Sequence, residues 1–508
     1  MEGLTMNMIK KYIGIVVVSI AFSATAQAQL QHFTSGSLGM GGGGTAYVDG
    51  FHANFVNPAN LMLKRFRRPD TFVGFGGLGV RAGGTLSNLP AYNEYLSSGL
   101  TITGQTREDL LNALFDSEDP SQSRNIATSL DVVPFGFSKR GRKSAVSLAL
   151  RSRVLTRADV SRGGAEVFFF GLDADQFSSP RNVDLSLETV AFGEVSLGYA
   201  RQILSLPNFL FARNVKVYVG VAPKLLISAF STSLDFASTL QVQRGPNGQA
   251  TRLEHNFDYT ITTFGDLAGE LSAFEAERRR DSFNADISDF LGESDGEYVS
   301  PTFSGIGFDI GGTIEMDISR LPLIPLFGKK KTLTVAASIT DIGKVIVDDN
   351  PMVFTNSRNF VFEGAPDGQE VDDFYDVFGD SVSNDVYLNF TGEETGEIST
   401  RLPSTLNLGA HLTMGKLSTS IDYSVGFNGN STSSQFSSLT LGAEYRLLNF
   451  IPLRVGVRNG GFSSRVYTAG AGIDFRFLEL TFAAAIPSTE DRNGSAVAAA
   501  WSGLVFRF

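Results

Sequence analysis

The chain has 508 residues, including 54 glycines, 42 phenylalanines and no cysteine, and its formal net charge is −11. The lack of cysteine excludes a disulfide scaffold, a Cys-ligated zinc site and a lipid-anchoring cysteine. The acidic balance argues against a nucleic-acid partner, which needs a basic surface. Length alone would suggest roughly three soluble domains.

The first 28 residues have the three parts of a secretory signal peptide. Lys10 and Lys11 form the positive region, 12–22 is an apolar stretch, and 26–28 reads Ala-Gln-Ala, a small-x-small cleavage site. We therefore expect the mature chain to begin at Gln29. The alternative is an N-terminal membrane helix, but the apolar run is shorter than the roughly 20 residues that span a bilayer.

Residues 29–70 lack the alternation of a β-strand. Glycines such as Gly41 and Gly42 permit tight turns and close approach of the backbone. Further on, Asn57-Pro58 should end one helix and begin a turn or a new helix, with Ala59 and Asn60 following. A phosphate-binding loop would need a helix start and usually Lys-Ser/Thr after the glycines; neither is present, and no cofactor is predicted.

From residue 71 onward, apolar and polar or small residues alternate with the period of a strand. In 404–414, for example, Leu406 and Leu408 share one face, and Asn407 and Gly409 share the other. The pattern predicts fourteen strands: 71–81, 131–139, 144–155, 190–201, 215–230, 304–317, 332–343, 404–414, 417–427, 437–446, 452–458, 466–476, 478–486 and 497–508.

These strands favour an all-β fold, an antiparallel transmembrane β-barrel. Their length is that of segments that cross a bilayer at a tilt, their number is even, and charged residues lie opposite the apolar face in strand after strand. A soluble sandwich, the alternative, also alternates. We expect long outer loops at 82–130, 156–189, 231–303 and 344–403, and short inner turns, of which 202–214 and 318–331 are rich in Leu, Pro and Phe.

The loop 344–403 holds 13 acidic and three basic residues, so it carries −10 of the net charge. One interpretation is a solvated surface loop. The other is a site for a divalent cation or a cationic ligand around Asp372, Asp373 and Asp376, although no EF-hand pattern is present.

Charged residues on the polar faces of the strands should line the barrel lumen. We expect Glu444 to pair with Arg454, and Arg458 with Asp474, across neighbouring strands. These charges would form an ionic lattice, a polar permeation path, or both. The candidate lumen charges are Arg151, Arg153, Glu444, Arg446, Arg454, Arg458 and Asp474.

Nothing in the chain indicates an enzyme. Its four histidines are His32, His52, His255 and His411, and none lies in a recognisable Ser/His/Asp setting. Histidine spacings typical of a metal site are absent. We therefore assign no catalytic residue and no metal ligand, and interpret His411 as a structural residue on a lumen face.

The order of several motifs resembles a known group of proteins. Gly-Met-Gly-Gly at 39–42, followed by Asn57-Pro58-Ala59, resembles the N-terminal hatch of the FadL-like outer-membrane transporters and the PorV-like barrels. The stretches 338–343 and 402–410 resemble strand ends of PorV-like barrels. The chain is similar to a Bacteroidota outer-membrane family of unknown function, DUF5723. This resemblance implies that 29–70 folds into the lumen as a hatch and that 71–508 forms the barrel.

The resemblance leaves three functions open for a monomeric protein of the bacterial outer membrane. The first is FadL-like passive uptake of apolar or amphipathic small molecules, although no pocket signature carries over fatty-acid binding. The second is a PorV-like accessory or binding protein of a secretion or surface-assembly system, and the third is a structural surface protein. A lateral kink near Pro134 would favour the first, and apolar loop tips such as 168–170 the second. Expected partners are outer-membrane lipid and, through the last strand ending in Phe508, the barrel-assembly machinery.

Overall fold

A computed structural model describes residues 34–64, 69–96, 104–115, 118–171, 175–209, 212–246, 250–280, 287, 302–320, 330–347, 349–363, 386–427, 437–460, 465–488 and 494–508. The predicted signal peptide and the acidic cluster around Asp372 lie outside these residues.

The structure is built almost entirely from antiparallel strands. In chain order they are β1 Thr71–Gly84, β2 Ser123–Arg140, β3 Ser144–Ser161, β4 Arg181–Asn182, β5 Leu185–Phe209, β6 Ala212–Arg244, β7 Ala250–Thr263, β8 Thr302–Asp317, β9 Lys331–Val347, β10 Met352–Glu363, β11 Thr391–Glu394, β12 Ile398–Arg401, β13 Thr405–Met414, β14 Leu417–Gly426, β15 Ser438–Leu447, β16 Ile451–Gly460, β17 Arg465–Asp474, β18 Leu478–Pro487, β19 Ser495–Trp501 and β20 Leu504–Arg507.

Fifteen of these segments close into a barrel of fourteen strands, the number that the alternation predicts. The wall runs through β1, β2, β3, β5, β6, β8, β9 and β13 to β18, and β19 with β20 then forms the final strand, which pairs with β1. Every neighbouring pair is antiparallel. Because the final strand pairs with β1, the described wall has no open strand edge. The strand ends at 140–144, 414–417 and 447–451 are joined by short turns, and we call this the short-turn end of the barrel.

The outer surface of the wall is apolar. Side chains that face outward are exposed hydrophobics, whereas their neighbours along each strand face the lumen and are polar or small. A soluble sandwich would place its apolar face inside, so this inverted arrangement is that of a barrel in lipid. The exposed set includes Phe75, Leu130, Val146, Leu197, Val219, Ile310, Val335, Leu408, Ile421, Leu441, Val455, Tyr467, Phe482 and Leu504.

Beyond the barrel, β6 continues into an outer sheet. It has 33 residues, whereas a strand needs about 9–11 to cross a bilayer. Its far part pairs with β7, which in turn pairs with β10. The helix Gly265–Arg280 lies against one face of this sheet through Leu271 and Phe274. The ranges predicted as long outer loops therefore contain further regular structure.

The short-turn end also differs from the prediction at 202–214. This range was predicted as a turn, but β5 and β6 pair through most of it, as far as Phe209 and Ala212. Ile203 and Leu204 are exposed in this extension, which carries both strands beyond the length that crosses a bilayer.

The remaining helices are short. They are Ser35–Gly39, Gly50–Phe55 and Pro58–Met62 in the N-terminal segment, and Leu89–Ala91, Tyr92–Leu96, Gly104–Leu114, Arg162–Phe170 and Asp175–Ser178 at the end with long loops. None of the described helices is long and apolar enough to cross a membrane.

Candidate functional site

The N-terminal segment 34–64, which we call the hatch, occupies the lumen. Its first helix begins with a capping box, in which Thr34 and Ser37 each bond the other's backbone. Its last helix begins at Pro58, where the Asn57 side chain accepts a hydrogen bond from the Ala59 amide. The predicted break at Asn57-Pro58 is thus where one helical turn ends and the next begins.

Glycines in the barrel wall make room for the hatch. A side chain at Gly74 or Gly136 would overlap the Phe51 ring, and one at Gly220 would overlap the backbone of Pro58 and Ala59. The wall glycines in contact with the hatch are Gly74, Gly136, Gly198, Gly220, Gly311, Gly409, Gly442, Gly456 and Gly470, each on a different strand. The lumen is therefore shaped to fit this segment.

The glycine-rich turn of the hatch holds a carboxylate from the wall. Asp422 on β14 accepts hydrogen bonds from the amides of Gly44 at 3.1 Å and Thr45 at 2.9 Å. A side chain at Gly43 or Gly409 would collide with this carboxylate. Successive backbone amides can cradle an anion, and here the anion belongs to the protein itself.

Asparagines fasten the other side of the hatch. Asn57 and Asn60, both fully buried, donate to the Thr45 carbonyl at 3.0 and 2.9 Å. Thr313 on β8 bonds both side chains, because it accepts from Asn57 and donates to Asn60. Asn54 donates to Ser196 on β5. These contacts explain the predicted hatch residues Asn57 and Asn60 as polar links between hatch and wall.

A buried cluster of charges lies against the hatch; we call it the central ion cluster. Arg151 contacts Glu194 at 2.7 Å and Asp341 at 3.2 Å, and Lys224 contacts Asp341 at 2.5 Å. The Arg151 guanidinium also lies 4.2 Å from the centre of the Phe55 ring of the hatch. The members are Asp131, Arg151, Arg153, Glu194, Lys224, Asp309 and Asp341, from six strands.

A second buried cluster forms near the short-turn end. Arg454 donates to Glu444 at 2.7 Å, which confirms their predicted pairing. Arg446 contacts Glu444 at 3.0 Å and Asp474 at 2.6 Å. Arg507 joins the cluster through Asp474 at 2.5 Å. This second cluster therefore ties the last wall strands together beside the first helix of the hatch.

The predicted pairing of Arg458 with Asp474 is wrong. In the β16–β17 register Arg458 lies opposite Val466, near one end of the pair, whereas Asp474 lies near the other. Arg458 instead donates to Ser438 at 3.3 Å. The sequence could place both residues on lumen faces but could not fix how far apart along the barrel axis they lie.

The wall is irregular where three adjacent strands meet around Pro134. The β2–β3 register shifts between Val132 and Phe135. Opposite, Gly76 on β1 has a φ of 71°, which favours glycine. In the last wall strand, β19 ends and β20 begins across Gly503, whose φ is 68°. We call this place the wall kink; it is the feature at Pro134 that the sequence singled out.

Two cavities adjoin the hatch. A small one, of about 50 Å³, is lined by Phe51, His52 and Ser502 among others, and Ser502 precedes Gly503 of the wall kink; we call it the small cavity. A larger one of about 640 Å³, which we call the basic cavity, lies near the short-turn end. Its lining includes Ala46, Lys64, Lys216, Glu315, Lys330, Thr332, Thr334, His411 and Thr413.

His411 is almost fully buried, and its ring lies 5.1 Å from that of Tyr47 in the hatch, in keeping with a structural role. Of the aromatic triplet at 168–170, Phe169 and Phe170 pack against Leu111 and its neighbours, whereas Phe168 is exposed. Within the described ranges, no group of three or more His, Cys, Asp or Glu residues could hold a metal ion.

The predicted lumen charges do not include Lys224 and Asp341 of the central ion cluster or Arg507 of the second cluster. Lys224 continues the polar face of Lys216 and Tyr218 on β6, so the alternation was sufficient to find it. Asp341 has a φ of 55°, and the β8–β9 register shifts beside it. No alternation rule predicts the direction of a side chain at such an irregularity.

Fold and site together define a membrane-type β-barrel whose lumen is filled by its own N-terminal segment. The particular family follows from the sequence: residues 69–485 match the family of unknown function DUF5723, and the chain belongs to it. No curated protein matches the chain.

Solved structures of similar fold include two toluene transporters. TbuX of Ralstonia pickettii has 14% identity and a TM-score of 0.44, with 94% of this chain and 99% of that chain covered. TodX of P. putida has 11% identity and a TM-score of 0.45, with the same coverage. The monoaromatic hydrocarbon channel CymD has 13% identity and a TM-score of 0.43, with 95% of this chain and 99% of that chain covered.

Proposed function

We propose that this barrel lies in a bacterial outer membrane and admits small apolar or amphipathic molecules passively, with a lateral exit at the wall kink. The long loops would face the outside of the cell and the short turns the periplasm. Lipid would cover the apolar outer band. The barrel-assembly machinery would recognise the last strand, which ends in the exposed Phe508.

The wall kink is the observation that carries this proposal. A continuous ladder of hydrogen bonds would close the wall to any molecule, but Pro134 has no amide hydrogen to donate. The residues that flank the kink on the outer surface, Phe75 and Leu504, are apolar and exposed. The small cavity, which Ser502 next to the kink helps to line, is bordered by both wall and hatch. An apolar molecule that leaves through the kink would enter lipid without crossing water.

The hatch must move before such a molecule can pass. The small cavity measures about 50 Å³, whereas a cavity of roughly 150 Å³ is known to hold benzene. Phe51 fills the adjacent space against Gly74 and Gly136. We therefore assign the described arrangement to the closed state of the channel.

The test compares two lipid-facing prolines. In Pro134→Val, the new amide can complete the ladder, so the initial rate of toluene uptake by cells should fall several-fold. Pro223 is also exposed in a wall strand, but it lies in a continuous part of the β6–β8 register, and Pro223→Val should leave uptake unchanged. If cells with the native chain take up toluene no faster than cells without the protein, the proposal is refuted.

A second candidate is an accessory role in a secretion or surface-assembly system. Phe168 is 67% exposed beside two packed phenylalanines at the end with long loops, as expected of a contact point for a protein partner. A pull-down from outer membranes with the native chain, compared with Phe168→Ser, tests it. Recovery of the same proteins with both chains would exclude this contact.

A further inference from the structure

Several buried polar side chains face the hatch from one part of the wall. On β14, Ser418 and Ser420 have hydroxyl oxygens without a hydrogen-bond partner among the described residues, and so does Thr440 on β15. The second oxygen of Asp422 likewise has no partner there. All four residues are at most 6% exposed. We call this group the polar seam.

The members of the polar seam are contiguous. Ser418, Ser420 and Asp422 alternate along β14 and therefore point to the same side of the wall. Thr440 lies directly opposite Asp422 in the β14–β15 register. Buried polar groups normally have a partner in the protein or in ordered water, so a row of such groups along one strand marks a hydrated contact.

Two other wall hydroxyls that contact the hatch have hydrogen-bond partners. Ser338 on β9 is equally buried, but it donates to the Val56 carbonyl of the hatch at 2.6 Å. Ser196 on β5 accepts from Asn54. The seam therefore differs from these positions in its hydrogen bonding and not in residue type or burial.

The polar seam begins at the basic cavity. In the β13–β14 register, Ser418 lies beside Thr413 and Ser420 beside His411, and both neighbours line that cavity. At the far end of the seam, Asp422 binds the amide of Thr45, and the next hatch residue, Ala46, lines the cavity again. The Asp422 contact thus lies next to a hatch residue that lines the cavity.

We propose that the polar seam is a water passage that leads from Asp422 to the basic cavity, that the hatch separates first from the wall along it, and that Asp422 holds it closed. Hydrogen bonds to a charged carboxylate are stronger than those to a neutral group. Among the described residues, Asp422 forms no salt bridge, so its partners are the amides of Gly44 and Thr45 and the Thr45 side chain, all in the hatch. The passage is separate from the wall kink, so a refutation of the passage would leave the proposed uptake untouched.

Thiol labelling tests the passage directly, because the chain has no cysteine of its own. Ser420→Cys and the matched control Ser338→Cys are placed in the full chain, refolded in lipid and treated with a small cationic methanethiosulfonate. Local openings set the rate of such reactions, so we expect Cys at 420 to react at least about tenfold faster than Cys at 338. Equal rates at the two positions would overturn the proposal.

The role of Asp422 is tested by adding Asp422→Asn to both cysteine variants. Asparagine keeps one acceptor oxygen but removes the charge, so labelling at 420 should accelerate while labelling at 338 stays the same. Acceleration at both positions, or at neither, would contradict a local closing role. Should a cysteine variant not fold, amide exchange in the unsubstituted chain decides: the Thr45 amide should exchange faster than the Ala59 amide, and the reverse order would refute the seam.

Discussion

Asp341 is the residue on which the buried charges of the lumen converge. Its two oxygens contact Arg151, Arg153 and Lys224, at 3.2, 3.2 and 2.5 Å. None of these three cations has any exposed side-chain surface. Such a cluster gives little net stability over an apolar core, but a missing partner leaves charges buried without compensation.

The change Asp341→Asn should therefore destabilise the barrel strongly, by about 3–5 kcal/mol. The measurement is the free energy of unfolding in urea after refolding into lipid, followed by the heat-modifiable migration of the folded barrel. The control is Asp70→Asn, since Asp70 is half exposed near the strand end, where it pairs with Lys64 at 3.3 Å and with the Arg140 guanidinium. An exposed pair contributes about 0–1 kcal/mol. Equal losses in both variants would contradict the assignment.

Among the elements, the outer sheet of β6, β7 and β10 carries its own core of aromatic residues. His255 on β7 lies within this core, where its Nδ1 is 2.6 Å from the Tyr387 hydroxyl. Burial lowers the pKa of His255 from 6.5 to about 4. The outer sheet lies beyond the part of the wall that crosses the membrane, so its stability can be followed separately.

The lowered pKa of His255 predicts how the outer sheet responds to acid. The folded sheet disfavours the protonated imidazole, so its full stability is present above pH 6.5 and is lost as the pH falls from about 6.5 towards about 4. Proteolysis of the outer sheet should accelerate over this range, while the barrel stays intact. In His255→Gln this acceleration should be much smaller. An unchanged pH profile in that variant would assign the response to other groups.

Alternation predicted the strands that cross the membrane because lipid on one side and a filled lumen on the other enforce a period of two. It placed Leu408 outward and Asn407 inward correctly. It could not predict the outer sheet, since β7 and β10 follow no bilayer constraint. It also could not pair Arg458, because strand register depends on the whole closed wall and not on one strand.

At the scale of the whole molecule, hatch and wall are complementary surfaces. Wall glycines lie where hatch residues approach nine of the strands, and the asparagines of the hatch meet hydroxyls of the wall. The motifs at 39–42 and 57–59 predicted the hatch but not the wall positions that it contacts, because most of these contacts join residues more than a hundred positions apart. The fit between hatch and wall therefore depends on contacts between distant parts of the chain.

Two neighbouring glycines on β8 test this complementarity. A Cβ at Gly311 would lie 2.0 Å from the Asn57 side-chain oxygen, whereas one at Gly312 would meet only the Tyr218 carbonyl at 3.8 Å. Gly311→Val should therefore displace the hatch from the wall and raise the ion conductance of the protein in a planar bilayer several-fold. Gly312→Val has the same change of strand propensity but an unobstructed side chain, so its conductance should match that of the native chain. If both valines raise the conductance equally, or neither does, the fit of the hatch against the wall glycines does not hold the hatch in place.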